Sequence, residues 1–208
     1  MEMTPPELGL TSSVSFMIDR LIANKRYPKY QFERASEIFL APFIEEWLGT
    51  KLEKDLELVA MEFPLKKPLG NQSTNADYLL YSPRPHWWLV EMKTEVGLLP
   101  LKQLMAYQTA LSRGKTMSSY VGDIDKIRGK SRKGPKYEAL KLAIDNKSGR
   151  RTLAAPLGVV FITPHAEKPA ELKDFDFRWC SLLEMLETFV PTKHQELWDH
   201  VKRLKEAF

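Results

Sequence analysis

Residues 86–94 (HWWLVEMKT) decide the fold that this sequence predicts. Apolar side chains stand at both odd and even positions of this stretch, which is typical of a strand covered on both faces. Glu91 and Lys93 are two residues apart, and alternate side chains of a strand point to the same face. We therefore expect a central strand that carries a carboxylate and an ammonium group side by side.

Other apolar stretches of the sequence alternate with helical patterns. The order of these patterns is helix, three strands, helix, strand, which is typical of an α/β fold. We expect a central mixed β-sheet of about four to five strands, flanked by helices on both faces. Strands are predicted at residues 56–65, 76–81, 157–163 and 176–179, and helices at residues 13–23, 30–48, 100–111, 135–145, 181–189 and 194–207.

Length and composition indicate the domain organisation. The chain has 208 residues, of which 43% are hydrophobic, so it can bury a core and we expect a single domain over residues 1–208. Residues 1–29 are predicted to form an N-terminal helical arm. The lone Cys180 can form no disulfide within the chain, which favours a reducing, cytoplasmic setting. The sequence shows no secretory signal and no apolar run of about 20 residues, so we expect no membrane association.

Basic charge is concentrated in one part of the chain. The net charge is +4, but the segment from Ser112 to Arg151 holds twelve lysines and arginines against four acidic residues, so the rest of the chain carries −4. We expect residues 112–152 to form a basic helical insertion that binds phosphates by releasing counterions. A solvated loop is the alternative interpretation. The candidate nucleic-acid-binding residues are Lys126, Arg128, Lys130, Arg132, Lys133 and Lys136.

Asp77 adds a second carboxylate, because it begins the strand that precedes residues 86–94 across a short turn. Buried carboxylates need a partner, and a divalent cation is the natural partner for two of them. A pattern of acid, any residue, lysine is weak by itself, since it also occurs at residues 145–147 and 171–173. The pattern at residues 91–93 differs from the other two because it lies in an apolar strand and Asp77 stands at the start of the preceding predicted strand.

These residues resemble the motif of the PD-(D/E)XK nuclease superfamily, which has a restriction-endonuclease-like fold. Asp77 stands at the family's aspartate, with Ala76 where the family name has proline. Glu91, Met92 and Lys93 match the (D/E)-x-K part of the motif.

A second motif on the next predicted helix extends the resemblance. Gln103 and Tyr107 are four residues apart, so they share a helix face, and they resemble the Gln-x-x-x-Tyr motif of the RecB-type and lambda-exonuclease-type branch. We expect them to position a backbone phosphate or the nucleophile, and an exposed polar helix face is the alternative. The resemblance covers residues 30–111 and, loosely, the strand at 157–163.

The resemblance implies hydrolysis of phosphodiester bonds in DNA with Mg²⁺, for which Mn²⁺ can substitute. The metal ligands would be Asp77, Glu91 and the backbone carbonyl of Met92, and the ion would activate a water for attack on phosphorus. Lys93 would orient or deprotonate that water, or stabilise the negative charge that develops at phosphorus.

Members of the family usually add an acidic residue from the first core helix. Glu33 and Glu37 are the candidates and lie one turn apart. Glu37 is preferred as the catalytic acid and additional metal ligand, because it lies away from the stripe formed by Phe39 and Phe43.

Two other interpretations stay open. Lys93 can neutralise Glu91 in an ion pair that has no function, and the same fold can serve as a catalytically silent module that binds nucleic acid or a protein. The sequence does not distinguish an endonuclease from an exonuclease or duplex from single-stranded DNA. RNA as a substrate and a homo-oligomeric state are also left open.

Overall fold

The computed structural model of the chain describes residues 10–27, 31–66, 73–83, 86–94, 104–105, 107–108, 111, 116–128, 134–147, 152–155, 157–164, 168, 173 and 177–208. Five strands of these residues form one sheet in the order β1-β2-β3-β4-β5. The strands are β1 (Glu57–Lys66), β2 (Ser73–Ser82), β3 (His86–Met92), β4 (Leu157–Thr163) and β5 (Arg178–Ser181).

The sheet is mixed, and β3 is its central strand. β1, β2 and β3 pair antiparallel, whereas β3, β4 and β5 pair in parallel. Every residue of β3 after His86 is buried. The predicted α/β fold with a central mixed sheet is therefore confirmed.

Helices cover both faces of the sheet, as the sequence predicts. Residues 104–105, 107–108 and 111 are also helical, and 3₁₀ turns occur at Thr152–Ala154 and Lys202–Ala207. Within the described ranges, no helix combines the length and apolarity needed to cross a membrane. The α-helices are α1 (Leu10–Asn24), α2 (Phe32–Leu52), α3 (Met117–Arg128), α4 (Gly134–Lys147), α5 (Leu182–Thr188) and α6 (Gln195–Val201).

Two hydrophobic clusters lie on opposite faces of the sheet. On one face, α1, α2, α5 and α6 pack on side chains such as Val90 and Ile162. On the other face, Tyr107, α3 and α4 pack on side chains such as Leu89 and Phe161. β3 and β4 contribute apolar side chains to both clusters, which explains why their sequences are apolar at every position.

Several boundaries differ from the sequence prediction. β2 begins at Ser73 rather than at residue 76, so Asp77 lies inside that strand instead of at its start. β3 ends at Met92 rather than at residue 94, and its ladder to β2 already stops at Val90. β5 begins at Arg178, two residues after the predicted start. The sequence prediction also omitted α3, although Met117, Tyr120 and Ile124 bury one face of that helix.

Candidate active site

Asp77 in the middle of β2 and Glu91 near the end of β3 come together where the ladder between the two strands stops. Tyr78 pairs with Val90, so one residue further along the register Asp77 lies opposite Glu91. The backbone ladder stops there, and the Met92 N–H instead donates to Asp77 Oδ2 at 2.6 Å. The Asp77 carboxylate therefore takes the place of a strand partner at the point where the two strands separate.

Lys93 connects this pair of strands to α2. Its Nζ lies 2.8 Å from Glu91 Oε1 and 2.8 Å from Glu33 Oε1. The second oxygen of Glu33 accepts a hydrogen bond of 3.3 Å from the Thr94 N–H. Glu91 is 1% exposed and Lys93 17% exposed, so this ion pair is largely shielded from water.

Tyr107 lies on the other side of Glu91. Its hydroxyl donates to Glu91 Oε2 at 2.5 Å, and its ring packs edge-on against Phe161. Tyr107 is completely buried. The structure thus places Tyr107 against the carboxylate rather than at a surface where a phosphate could bind. Gln103, its partner in the predicted motif, lies outside the described residues.

Glu37 is close to the site but makes a different contact. Its backbone carbonyl accepts a hydrogen bond of 3.5 Å from the Tyr78 hydroxyl. Burial and the repulsion of Glu33 raise the pKa of the Glu37 carboxyl to about 7. Glu33 is the helix acid that contacts Lys93 directly, and Glu37 acts on the site through its charge.

The carboxyl groups of Asp77 and Glu91 have raised pKa values. Burial, together with the repulsion of Glu91 and Glu37, raises the pKa of Asp77 to about 8. Burial also raises the pKa of Glu91, which attraction by Lys93 partly opposes. A cation at this position would relieve the repulsion between these groups.

Lys93 itself is held as a cation. Burial lowers its pKa, but attraction by Glu91 and the hydrogen bond to Glu33 more than offset this, so the pKa lies above its ordinary value. In its protonated form, Lys93 can stabilise negative charge that develops nearby.

The donor set suits a hard divalent cation in its chemistry. Asp77 and Glu91 supply carboxylate oxygens, and the Met92 backbone lies next to Asp77. No three histidine, cysteine, aspartate or glutamate side chains of the described part of the chain stand together so as to share one ion. Asp77, Glu91 and the Met92 carbonyl therefore stay a predicted set of metal ligands, as does the additional role of Glu37.

The basic insertion does not project as a free arm where it is described. α3 and α4 pack against β1, and Lys147 forms an ion pair with Glu57 at the start of that strand. Lys126 Nζ lies 3.4 Å from Asp123 Oδ1. Arg128 forms ion pairs with Asp125 of α3 and Glu138 of α4.

Two of the predicted phosphate-binding cations are therefore already paired with carboxylates. Lys136 is exposed near the start of α4, and no ion pair joins it to another residue of the described ranges. Lys130, Arg132 and Lys133 lie outside the described residues.

Two features of the site are not visible as sequence patterns. Glu33 reaches Lys93 because α2 crosses the end of β3, and Arg34 lies 3.7 Å from Glu62 on β1. The one-turn spacing of Glu33 and Glu37 indicates that either can face the sheet, but the crossing of α2 decides which does. Comparisons with protein-family models, with curated proteins and with solved structures gave no match to this chain.

Proposed function

We propose that this chain is a metal-dependent nuclease that hydrolyses phosphodiester bonds in DNA. The observation that carries the proposal is the position of Lys93, which contacts the buried Glu91 at the end of the central strand, next to Asp77 on the neighbouring strand. Ionisable groups with strongly shifted pKa values are concentrated here, which is typical of functional sites.

Asp77, Glu91 and the Met92 carbonyl are the groups that would hold Mg²⁺ or Mn²⁺. Such an ion supplies a polarised phosphate oxygen and a water of lowered pKa. The buried position of Glu91 fixes one ligand firmly, and the Met92 N–H fixes the orientation of Asp77. These contacts hold the two carboxylates without help from a bound ion.

In the proposed reaction a water oxygen forms a bond to phosphorus while the phosphorus–oxygen bond to one nucleoside breaks, which leaves a phosphate monoester and a free hydroxyl. Lys93 stabilises the extra negative charge on the phosphate oxygens. Its contacts with Glu91 and Glu33 hold the ammonium group in place, and orienting or deprotonating the water is the alternative role. Tyr107 and Glu33 are positioning residues, since each contacts the site through Glu91 or Lys93.

A catalytically silent binding module is the second candidate, and one observation favours it. Lys93, Glu91, Glu33 and Tyr107 are already joined by ion pairs and hydrogen bonds, and Asp77 accepts a hydrogen bond from the Met92 N–H. Such a network needs no ion to be stable. Cleavage of DNA separates the two candidates, because the module binds DNA without cleaving it.

The test is an incubation of the purified chain with linear and covalently closed DNA, each single-stranded and duplex, in Mg²⁺, in Mn²⁺ and in EDTA. Cleavage that requires metal supports the nuclease. Cleavage of the closed circles shows an endonuclease, and cleavage of linear DNA alone shows an exonuclease. A single-stranded RNA of the same sequence shows whether the sugar is discriminated. A chain that leaves every DNA intact refutes the proposal. We place this activity in the cytoplasm, since the single cysteine favours a reducing setting.

A further inference from the structure

Acidic side chains outnumber basic ones at the candidate active site. Glu33 and Glu91 contact the ammonium group of Lys93, and Glu37 and Asp77 lie close to it. A further cation at the edge of this cluster would favour the approach of a DNA backbone. Lys126 and Arg128 of the basic insertion lie on α3, which packs on the face of the sheet opposite α2.

Arg34 is a cation at the edge of this cluster. It follows Glu33 on α2 and precedes Glu37 by three residues, and residues three apart are neighbours on a helix surface. Its charge is close enough to lower the pKa of the Glu37 carboxyl against the larger effect of burial. The side chain is 70% exposed, so the guanidinium is open to a ligand from solvent.

The carboxylate that Arg34 contacts lies on the strand next to Asp77. Met61 pairs with Tyr78 and Phe63 pairs with Ala76, so Glu62 of β1 lies at the level of Asp77 on the neighbouring strand. The Arg34 guanidinium is therefore held beside the strand that carries a candidate metal ligand.

Glu62 has an uncommon backbone conformation for this position. Its φ is 55°, in the left-handed region, although it lies inside a strand and is not glycine. A residue keeps such a conformation only where the surrounding structure fixes it. The strand is thus locally distorted at the residue that contacts Arg34, beside Asp77.

The contact between Arg34 and Glu62 is easily exchanged. Arg34 Nη1 lies 3.7 Å from Glu62 Oε1, and the two side chains are 70% and 64% exposed. Exposed pairs of this kind contribute little to stability. A phosphate offers a guanidinium two parallel charge-assisted hydrogen bonds, which are stronger.

We propose that Arg34 binds a backbone phosphate of the DNA strand that enters the active site, and that Glu62 is its resting partner until the phosphate replaces it. This inference rests on the proposed function for its ligand, but it concerns binding rather than cleavage. Arg34 is the contact that guides the strand past the acidic side chains, and Lys93 acts at the phosphate to be cleaved.

The experiment measures the binding of a fluorescein-labelled single-stranded DNA of about 20 nucleotides in EDTA, so that cleavage plays no part. Arg34→Gln should raise Kd about fivefold and reduce the slope of log Kd against log salt by about 0.7, the value for one lost phosphate contact on a single strand. Arg20→Gln is the matched control, because Arg20 lies on α1 with its guanidinium over the Phe16 ring. It should leave Kd and slope unchanged.

Glu62→Gln should lower Kd about threefold, because the carboxylate no longer competes with phosphate for Arg34. Glu53→Gln is its control, since Glu53 is an exposed glutamate that also has a left-handed backbone, at the end of α2. The gain from Glu62→Gln should vanish when Arg34→Gln is also present. If Arg34→Gln matches Arg20→Gln, or the wild-type chain does not bind DNA, the inference is overturned. Binding without any cleavage in Mg²⁺ refutes only the nuclease proposal.

Discussion

The Tyr107 hydroxyl donates a 2.5 Å hydrogen bond to Glu91 Oε2, and this bond joins a helix on one face of the sheet to the carboxylate at the end of the central strand. Glu91 therefore has a partner on each oxygen, Tyr107 on one and Lys93 on the other. The metal-ligand candidate is held from two sides before any ion binds.

Tyr107→Phe removes this hydrogen bond and keeps the buried ring. We expect the cleavage rate to fall about 10- to 100-fold and the Mg²⁺ concentration for half-maximal activity to rise, as for other groups that orient a metal ligand. Tyr81→Phe is the control, because Tyr81 is buried in the same hydrophobic cluster. A Tyr107→Phe enzyme with the Mg²⁺ dependence of the wild type would show that the bond has only a structural role.

Glu33 and Glu37 should respond differently to neutralisation. Glu33 contacts Lys93 and the Thr94 N–H, whereas Glu37 acts on Asp77 through its charge. We expect Glu33→Gln to lower kcat about tenfold at saturating Mg²⁺, because Lys93 loses one of its two anchors. Glu37→Gln should change kcat less. Steady-state kinetics of the two variants provide the measurement, and the reverse order would assign the catalytic role to Glu37.

The stability of the metal-free chain should fall as the pH rises toward 8. Burial and repulsion raise the pKa of Asp77 to about 8 from an ordinary value of 3.8, so the folded chain keeps a proton that the unfolded chain releases. The contribution of Asp77 to the unfolding free energy is fully present below its pKa in the unfolded chain. It is lost as the pH rises through its pKa in the folded chain. Asp77→Asn should therefore reduce the dependence of the unfolding free energy on pH.

Urea unfolding in EDTA at pH 5, 6.5 and 8 measures this dependence. Asp145→Asn is the matched control, because it removes an exposed carboxylate of α4 instead. Stability that increases across this range, with the same slope in both variants, would contradict a buried, protonated Asp77.

Two glycines should respond in opposite directions to alanine. A Cβ on Gly158 of β4 would lie 2.4 Å from the Trp88 ring, which is buried and cannot move without disturbing the core. Gly158→Ala should therefore destabilise the chain by about 1–3 kcal/mol. A Cβ on Gly122 in α3 would meet nothing within 4 Å.

Gly122→Ala should stabilise the chain by about 0.5–1 kcal/mol, since alanine is the better helix former. The free energy of unfolding in urea measures both variants. Equal effects of the two substitutions would show that Trp88 does not lie on Gly158 as the structure describes.

The sequence was sufficient for the parts of the fold that depend on local periodicity. The apolar runs of β3 and β4 predict buried strands, and the two-residue spacing of Glu91 and Lys93 predicts their contact at one face. α3 was harder to predict, because Gly122 and several charged residues weaken its helical pattern.

The remaining parts of the site depend on how distant elements cross. The contact between Glu33 and Lys93 spans 60 residues and is set by the angle at which α2 packs on the sheet. The left-handed conformation of Glu62 has no signal in the sequence, because glutamate has no preference for positive φ. The pairing of Arg128 with Glu138 likewise depends on the packing of α3 against α4.

The most direct test of the proposed active site is the cleavage of end-labelled duplex and single-stranded DNA in Mg²⁺ by the wild type, Asp77→Asn, Lys93→Ala and Asp145→Asn. Asp145 belongs to a second acid-x-lysine pattern outside the site, so its variant is the matched control. We predict that the wild type and Asp145→Asn cleave, that EDTA abolishes cleavage, and that Asp77→Asn and Lys93→Ala lose about 1,000-fold or more of the rate. Intact DNA with the wild type, or full activity in Asp77→Asn, would contradict the assignment of this site.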